Sequence, residues 1–197
     1  MTTEEQGGII GGIKDGIVQT IKGVGEITDA LVDTVSGTIV NAVEKTGGVG
    51  TALSSAIAET VQGVIQGASD IGGDLGAAAK DAVLGVLKGT KEVGGAALDT
   101  ISTTAGDVIK STASVGGDLG VVAKGTVEGA IAGAKDVGVS AEDAASAAAT
   151  GLLQAAGEVS TTAVEQVRNA LTGTISGVKV VIKEPFRADD ADDAASE

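Results

Sequence analysis

The chain has 197 residues, a net charge of −14 and 32 glycines, with no cysteine, histidine, tryptophan or tyrosine. Without His and Cys there is no zinc site of the usual kind, no Cys–His pair, no Ser-His-Asp triad and no disulfide framework. The acidic balance argues against nucleic acid, whose phosphates need a basic stripe, and against simple attraction to anionic lipid.

Taken in chain order, residues 1–8 form an N-terminal leader. Met1-Thr2-Thr3-Glu4-Glu5 is acidic where a cleavable signal peptide would be basic. The longest uncharged stretches, Thr46–Ala58 and Ala144–Gly157, are too short to span a bilayer. The expectation is a chain that is cytoplasmic or surface-associated.

From residue 9 to residue 182 a single register governs the apolar positions. Ile27, Val49, Ile71, Val93, Val115, Val137, Val159 and Val181 mark a 22-residue step. The same frame extends back to Ile9, Ile13, Ile17, Ile21 and Val24. The decapeptide Ile71–Lys80 recurs as Val115–Lys124, two steps later. Within each unit the apolar spacings are threes and fours, a helical period that folds to 11 residues in three turns. Because this spacing also closes across each junction, the pattern predicts an all-α chain. Its elements are long, Gly-kinked amphipathic helices packed as a coiled coil or bundle. A bundle of short helices, roughly 18–22 residues each, is the main rival, and a β-solenoid the distant one. Breaks are expected near 47–48, 72–73, 94–95, 116–117 and 138–140, where Gly pairs fall or where Ser140 and Asp143 resemble a capping box. Asp74 and Asp118 are candidate N-caps.

The apolar stripe is marked by Leu31, Leu53, Leu75, Leu119, Ile65, Leu87, Ile109, Ile131 and Leu153. Glycine is phased against it. Gly63 and Gly67, Gly85 and Gly89, Gly129 and Gly133, and Gly173 and Gly177 are G-x-x-x-G pairs at one phase of the repeat. Such pairs let helix backbones meet closely. Each Gly inside a helix costs about 1 kcal/mol relative to Ala, so isolated helices of this composition are not stable in water. The stripe has to be covered by the chain itself, by other copies, or by lipid.

The 11-residue amphipathic period resembles hendecad coiled coils, the lipid-surface helices of the perilipin and synuclein type, and late-embryogenesis-abundant proteins. Lys88-Gly89-Thr90-Lys91-Glu92-Val93 echoes the synuclein repeat core, whereas the acidic balance departs from synuclein and the Gly content from the desiccation proteins. The resemblance implies a class of behaviour: helices that cover one another, cover lipid, or order on drying.

No nucleotide loop is present. Lys124-Gly125-Thr126 has the wrong order, and Gly23-Val24-Gly25 has Thr28 where a third Gly belongs. Val178–Lys183 reads either as a final helical turn or as a short strand. Residues 183–197, with Pro185 and the pairs Asp189-Asp190 and Asp192-Asp193, read as an acidic, flexible, solubilising tail. The expected function is that of a non-enzymatic, self-associating structural protein, a homo-oligomer or filament needing no cofactor, metal or nucleic acid. The alternatives are a peripheral coat on a membrane, lipid droplet or storage granule, and a stress-protective disordered chain.

Overall fold

The computed structural model describes residues 29–46 and 50–180. The leader at 1–8, the repeat frame at 9–24, the break at 47–48 and the tail at 183–197 lie outside the described residues. Seven helices follow one another: α1 (Asp29–Thr46), α2 (Gly50–Asp70), α3 (Leu75–Val93), α4 (Ala97–Ser114), α5 (Leu119–Ala134), α6 (Ala141–Val159) and α7 (Thr161–Leu171). A two-residue antiparallel hairpin, β1 (Thr174–Ile175) and β2 (Val178–Lys179), pairs Thr174 with Lys179 and Ile175 with Val178.

The expectation of helices running through the junctions is corrected. No helix among the described residues exceeds 21 residues, and the chain turns at each phased glycine. Gly72, Gly94, Gly116 and Gly138 all adopt φ between +67° and +76°, the left-handed conformation that glycine reaches without steric cost. One residue later, the N–H groups of Gly73, Gly95, Gly117 and Val139 donate to the carbonyls of Ala68, Thr90, Thr112 and Ala134 at 2.8–3.0 Å. That six-residue closure is a Schellman turn, and it satisfies carbonyls the helix end would orphan. Spacing therefore closes across the junctions because the turn is itself a fixed device, not because helix continues.

The next helix is then restarted by a side chain. Asp74 accepts from the N–H groups of Gly76 and Ala77, and Asp118 accepts from those of Gly120 and Val121, each at 2.8 and 3.1 Å. Ser140 accepts from the N–H of Asp143 at 3.0 Å while its hydroxyl donates to the Asp143 carboxylate. As a result α3, α4, α5 and α6 begin at 75, 97, 119 and 141, one repeat apart. Ala96 occupies the same site before α4 and makes no side-chain cap. Asp118→Ala is expected to lower stability by about 1 kcal/mol, and Ala96→Asp to raise it by about as much. Urea midpoints at constant m-value would measure both.

The helices form two layers. From α1 to α4, each packs more on the helix two further along than on the next one: α1 on α3, α3 on α5, and α4 on α6, with α2 against α4 less extensively. Consecutive helices connect the layers. The helices of one layer run parallel, since Gly85 and Gly89 of α3 meet Val35 and Ile39 of α1 in the same order. Between the layers lies one continuous core of Val, Ile, Leu and Ala, with Leu31, Ile39, Ile57, Ile65, Leu87, Ile101, Ile109, Leu152 and Leu171 fully buried. α7 packs on α5 and α6, and the hairpin touches α5 and α6. Their sequence leaves the small-residue pattern, as end pieces of a repeat array do.

Candidate functional site

The feature the sequence singles out is the seam between parallel helices of one layer, and there the structure places four of the eight phased glycines. A Cβ on Gly85 would stand 2.6 Å from the Cβ of Val35, and one on Gly89 would stand 2.9 Å from that of Ile39. A Cβ on Gly129 would lie 2.5 Å from the carbonyl oxygen of Lys80, and one on Gly133 would lie 2.7 Å from Leu87. Gly63 and Gly67 are buried on α2. For Gly173 and Gly177 the expectation is corrected. They lie in the hairpin, with φ of +109° and +81°, and serve its turns, not a helix seam.

The tightest approaches involve glycines outside the predicted pairs. A Cβ on Gly125 of α5 would collide with the backbone of Gly76 of α3, and one on Gly151 of α6 with the backbone of Ser102 of α4. Gly125 continues the Gly129–Gly133 row one helical turn back, so an extended search at i−4 would have found it. Gly151 stands at the right phase but is followed by Ala155, and a search for pairs passes over it. Matched residues across these seams are forty-nine apart (76 and 125, 80 and 129, 102 and 151), five more than two repeats. Each helix is thus slipped along its parallel neighbour by five residues, about 7.5 Å.

Of the predicted stripe, Leu31, Leu53, Ile65, Leu87, Ile109 and Leu119 are buried, and Leu75, Ile131 and Leu153 are partly buried against the core. The large apolar side chains exposed among the described residues are Leu98, Val121 and Val159, on three different helices. The Oγ1 atoms of Thr60, Thr90, Thr112 and Thr126 are buried without a hydrogen-bond partner among the described residues. Replacing one by the near-isosteric Val removes an unpaired polar atom, so Thr126→Val is expected to stabilise by about 1 kcal/mol. A thermal melt of the single variant measures it.

Grooves cross the array at its seams. One, of about 470 Å³, has a floor of Val32, Leu84, Leu87 and Gly133 and a rim that includes Lys88, Lys91 and Asp136. Lys88 bridges to Asp33 of α1 at 2.6 Å, and this hydrogen bond raises the Lys88 pKa. A smaller groove, about 190 Å³, lies on the α4–α6 seam beside Gly106 and Gly151. There Lys110 bridges to Glu158 at 2.8 Å. Beside it one carboxylate oxygen of Asp107 is sealed from solvent without a hydrogen-bond partner among the described residues. Burial pushes the Asp107 carboxyl up to about 6, against the lowering effect of Lys110. Asp81 on α3 is likewise pushed up to about 6 by burial, with Lys80 opposing and Asp29 adding to the rise. Among the described residues no three His, Cys, Asp or Glu side chains are grouped to hold a metal ion. No described helix is long and apolar enough to cross a membrane.

Two layers of parallel, regularly spaced helices define the class: the chain is an all-α helical repeat protein. It is similar to a de novo designed helical repeat protein of known crystal structure, at 15% identity and a TM-score of 0.52, over 86% of this chain and 91% of that one. No protein-family model matches the chain, and no curated protein does.

Proposed function

We propose that the protein is a non-enzymatic structural element that works by shape and self-association, its repeat array packing against further copies to build an oligomer or filament. The observation that carries this reading is the seam itself. Gly76, Gly125 and Gly151 bring helix backbones together so closely that a methyl group has no room. A surface shaped to receive its own repeat within one chain is suited to receiving it from another. The apolar stripe supports the same reading. It faces inward, whereas a coat on a membrane, droplet or granule needs it to face lipid, and a disordered protectant needs it open to water. The expected homo-oligomer calls on no cofactor and no nucleic acid.

Light scattering of the purified chain in lipid-free buffer, over a range of concentrations, tests the proposal. A mass that rises with concentration to a multiple of the monomer is expected. A monomer at every concentration that floats with liposomes would instead favour the coat.

A further inference from the structure

Several departures from the repeat fall on one seam, that between α2 and α4. Asp107 and Ser111 of α4 stand at the repeat positions of Gly85 and Gly89 in α3 and of Gly129 and Gly133 in α5. In α3 and α5 those glycines admit the preceding helix of the layer, Gly85 against Val35 of α1 and Gly129 against the backbone of Lys80 of α3. With a carboxylate and a hydroxymethyl group at those positions, α2 packs on α4 less extensively than α1 on α3 or α3 on α5. α4 also starts without a side-chain cap, Ala96 standing where Asp74, Asp118 and Ser140 cap α3, α5 and α6. A groove of about 190 Å³ runs along the seam, between Leu53, Ser54 and Ile57 of α2 and Ala96, Asp99 and Thr103 of α4.

The ion pairs follow the same division. Lys88 of α3 bridges back to Asp33 of α1. Its counterpart one repeat later is Lys110, but on α2 Ser55 stands at the place of the acid. Lys110 bridges forward instead, to Glu158 of α6. We propose that the α2–α4 seam is the hinge of the array: it opens on its own while the α1–α3 and α4–α6 seams stay shut, and the repeat stack bends at that one place. Opening there parts two helices that are already held apart, whereas opening α1–α3 parts backbones in contact at Gly85 and Gly89. α4 stays with α6, to which Lys110 ties it. The α1–α3 seam is the pivot, and α2 swings away from α4. The inference concerns one seam within a chain and does not depend on whether copies associate.

The native chain has no cysteine, so a single introduced thiol reports on its own site. Val35 of α1 and Ile57 of α2 are repeat counterparts, 1% and 2% exposed, the first set against α3 and the second facing the groove beside α4. In native buffer Ile57→Cys is expected to react with dithionitrobenzoate at least about tenfold faster than Val35→Cys. That rate is expected to stay nearly flat in dilute urea, because opening a seam exposes far less surface than unfolding. Adding Asp107→Gly with Ser111→Gly is expected to bring the two rates together. Equal rates in the two single-cysteine chains, a gap that survives the glycine pair, or a rate that climbs with urea as steeply as global unfolding overturns the proposal. Ser55→Asp with Glu158→Gln changes only surface residues and redirects Lys110 to α2. It is expected to slow the Ile57→Cys reaction about twofold, and an unslowed reaction also overturns the hinge.

Discussion

Gly125→Ala and Gly151→Ala are each expected to destabilise the array by about 3 kcal/mol, although alanine is the better helix former. The new methyl group has nowhere to go. At Gly125 it meets the backbone of Gly76 and at Gly151 that of Ser102, and a backbone inside a packed helix cannot swing aside as a side-chain end can. Overpacking costs about 1–3 kcal/mol even where side chains give way, and the gain in helix propensity returns only about 1 kcal/mol. Gly37 on α1 is the internal control, because a Cβ there has nothing within 4 Å. Gly37→Ala is expected to stabilise by about 1 kcal/mol. Guanidinium titrations of the three variants decide the matter: if all three shift the midpoint the same way, the seams are not close-packed. Gly129→Leu with Gly133→Leu, set against Lys80 and Leu87, belongs with the destabilising pair and should also assemble less well.

Acidification from pH 7 to pH 5 is expected to stabilise the protein, the reverse of the usual behaviour of a carboxylate-rich chain. The folded pKa of Asp107 is about 6 against an ordinary 3.8. The native state therefore binds the proton first. Stability rises as pH falls through 6, and the gain is complete below 3.8. A shift of that size corresponds to about 3 kcal/mol at full effect, and solvent screening of this partly exposed group reduces it to roughly 1–2 kcal/mol. Asp81, shifted the same way, adds a smaller share because it is more exposed. Asp107→Asn is expected to raise stability at pH 7 by about 1–2 kcal/mol, to leave it unchanged near pH 4, and to flatten the slope between. Melts across this range check it, and a slope untouched by the substitution would place the effect elsewhere, for instance in relief of the overall charge.

Much of this architecture was legible in the amino acids, for identifiable reasons. The spacing of threes and fours reports which face is buried, and it located the stripe from Leu31 to Leu119. What it does not report is where the chain reverses. Gly72, Gly94, Gly116 and Gly138 lie in phase with the apolar pattern, so a turn of constant length leaves the same signature as a helix running on. The seams were half legible. Glycine pairs at 85/89 and 129/133 pointed to close approach, but the lone Gly151 did so only once its partner, Ser102, was known. Gly173 and Gly177 had the same spacing and a different fate, because a hairpin turn and a helix seam want glycine for different reasons. Asp107 was legible only as a carboxylate standing at the repeat position of Gly85 and Gly129. That it is buried beside Gly151 and Ala155 depends on how the helices pack, which the register does not report.

The alternation of helix direction sets a unit of heredity for this chain. Loss of residues 75–118 would join Asp74 to Leu119, which already follows an identical aspartate cap. Gly129 and Gly133 would then inherit the places of Gly85 and Gly89 beside Val35 and Ile39. Loss of residues 75–96 alone would also keep the reading frame of apolar positions, yet it would bring Asp107 and Ser111 to those places and press a carboxylate against Val35. Length can therefore change by 44 residues with little penalty and by 22 only at a heavy one. The likeness of Ile71–Lys80 to Val115–Lys124, seven of ten residues in common at a distance of 44, matches that larger unit and not the 22-residue step.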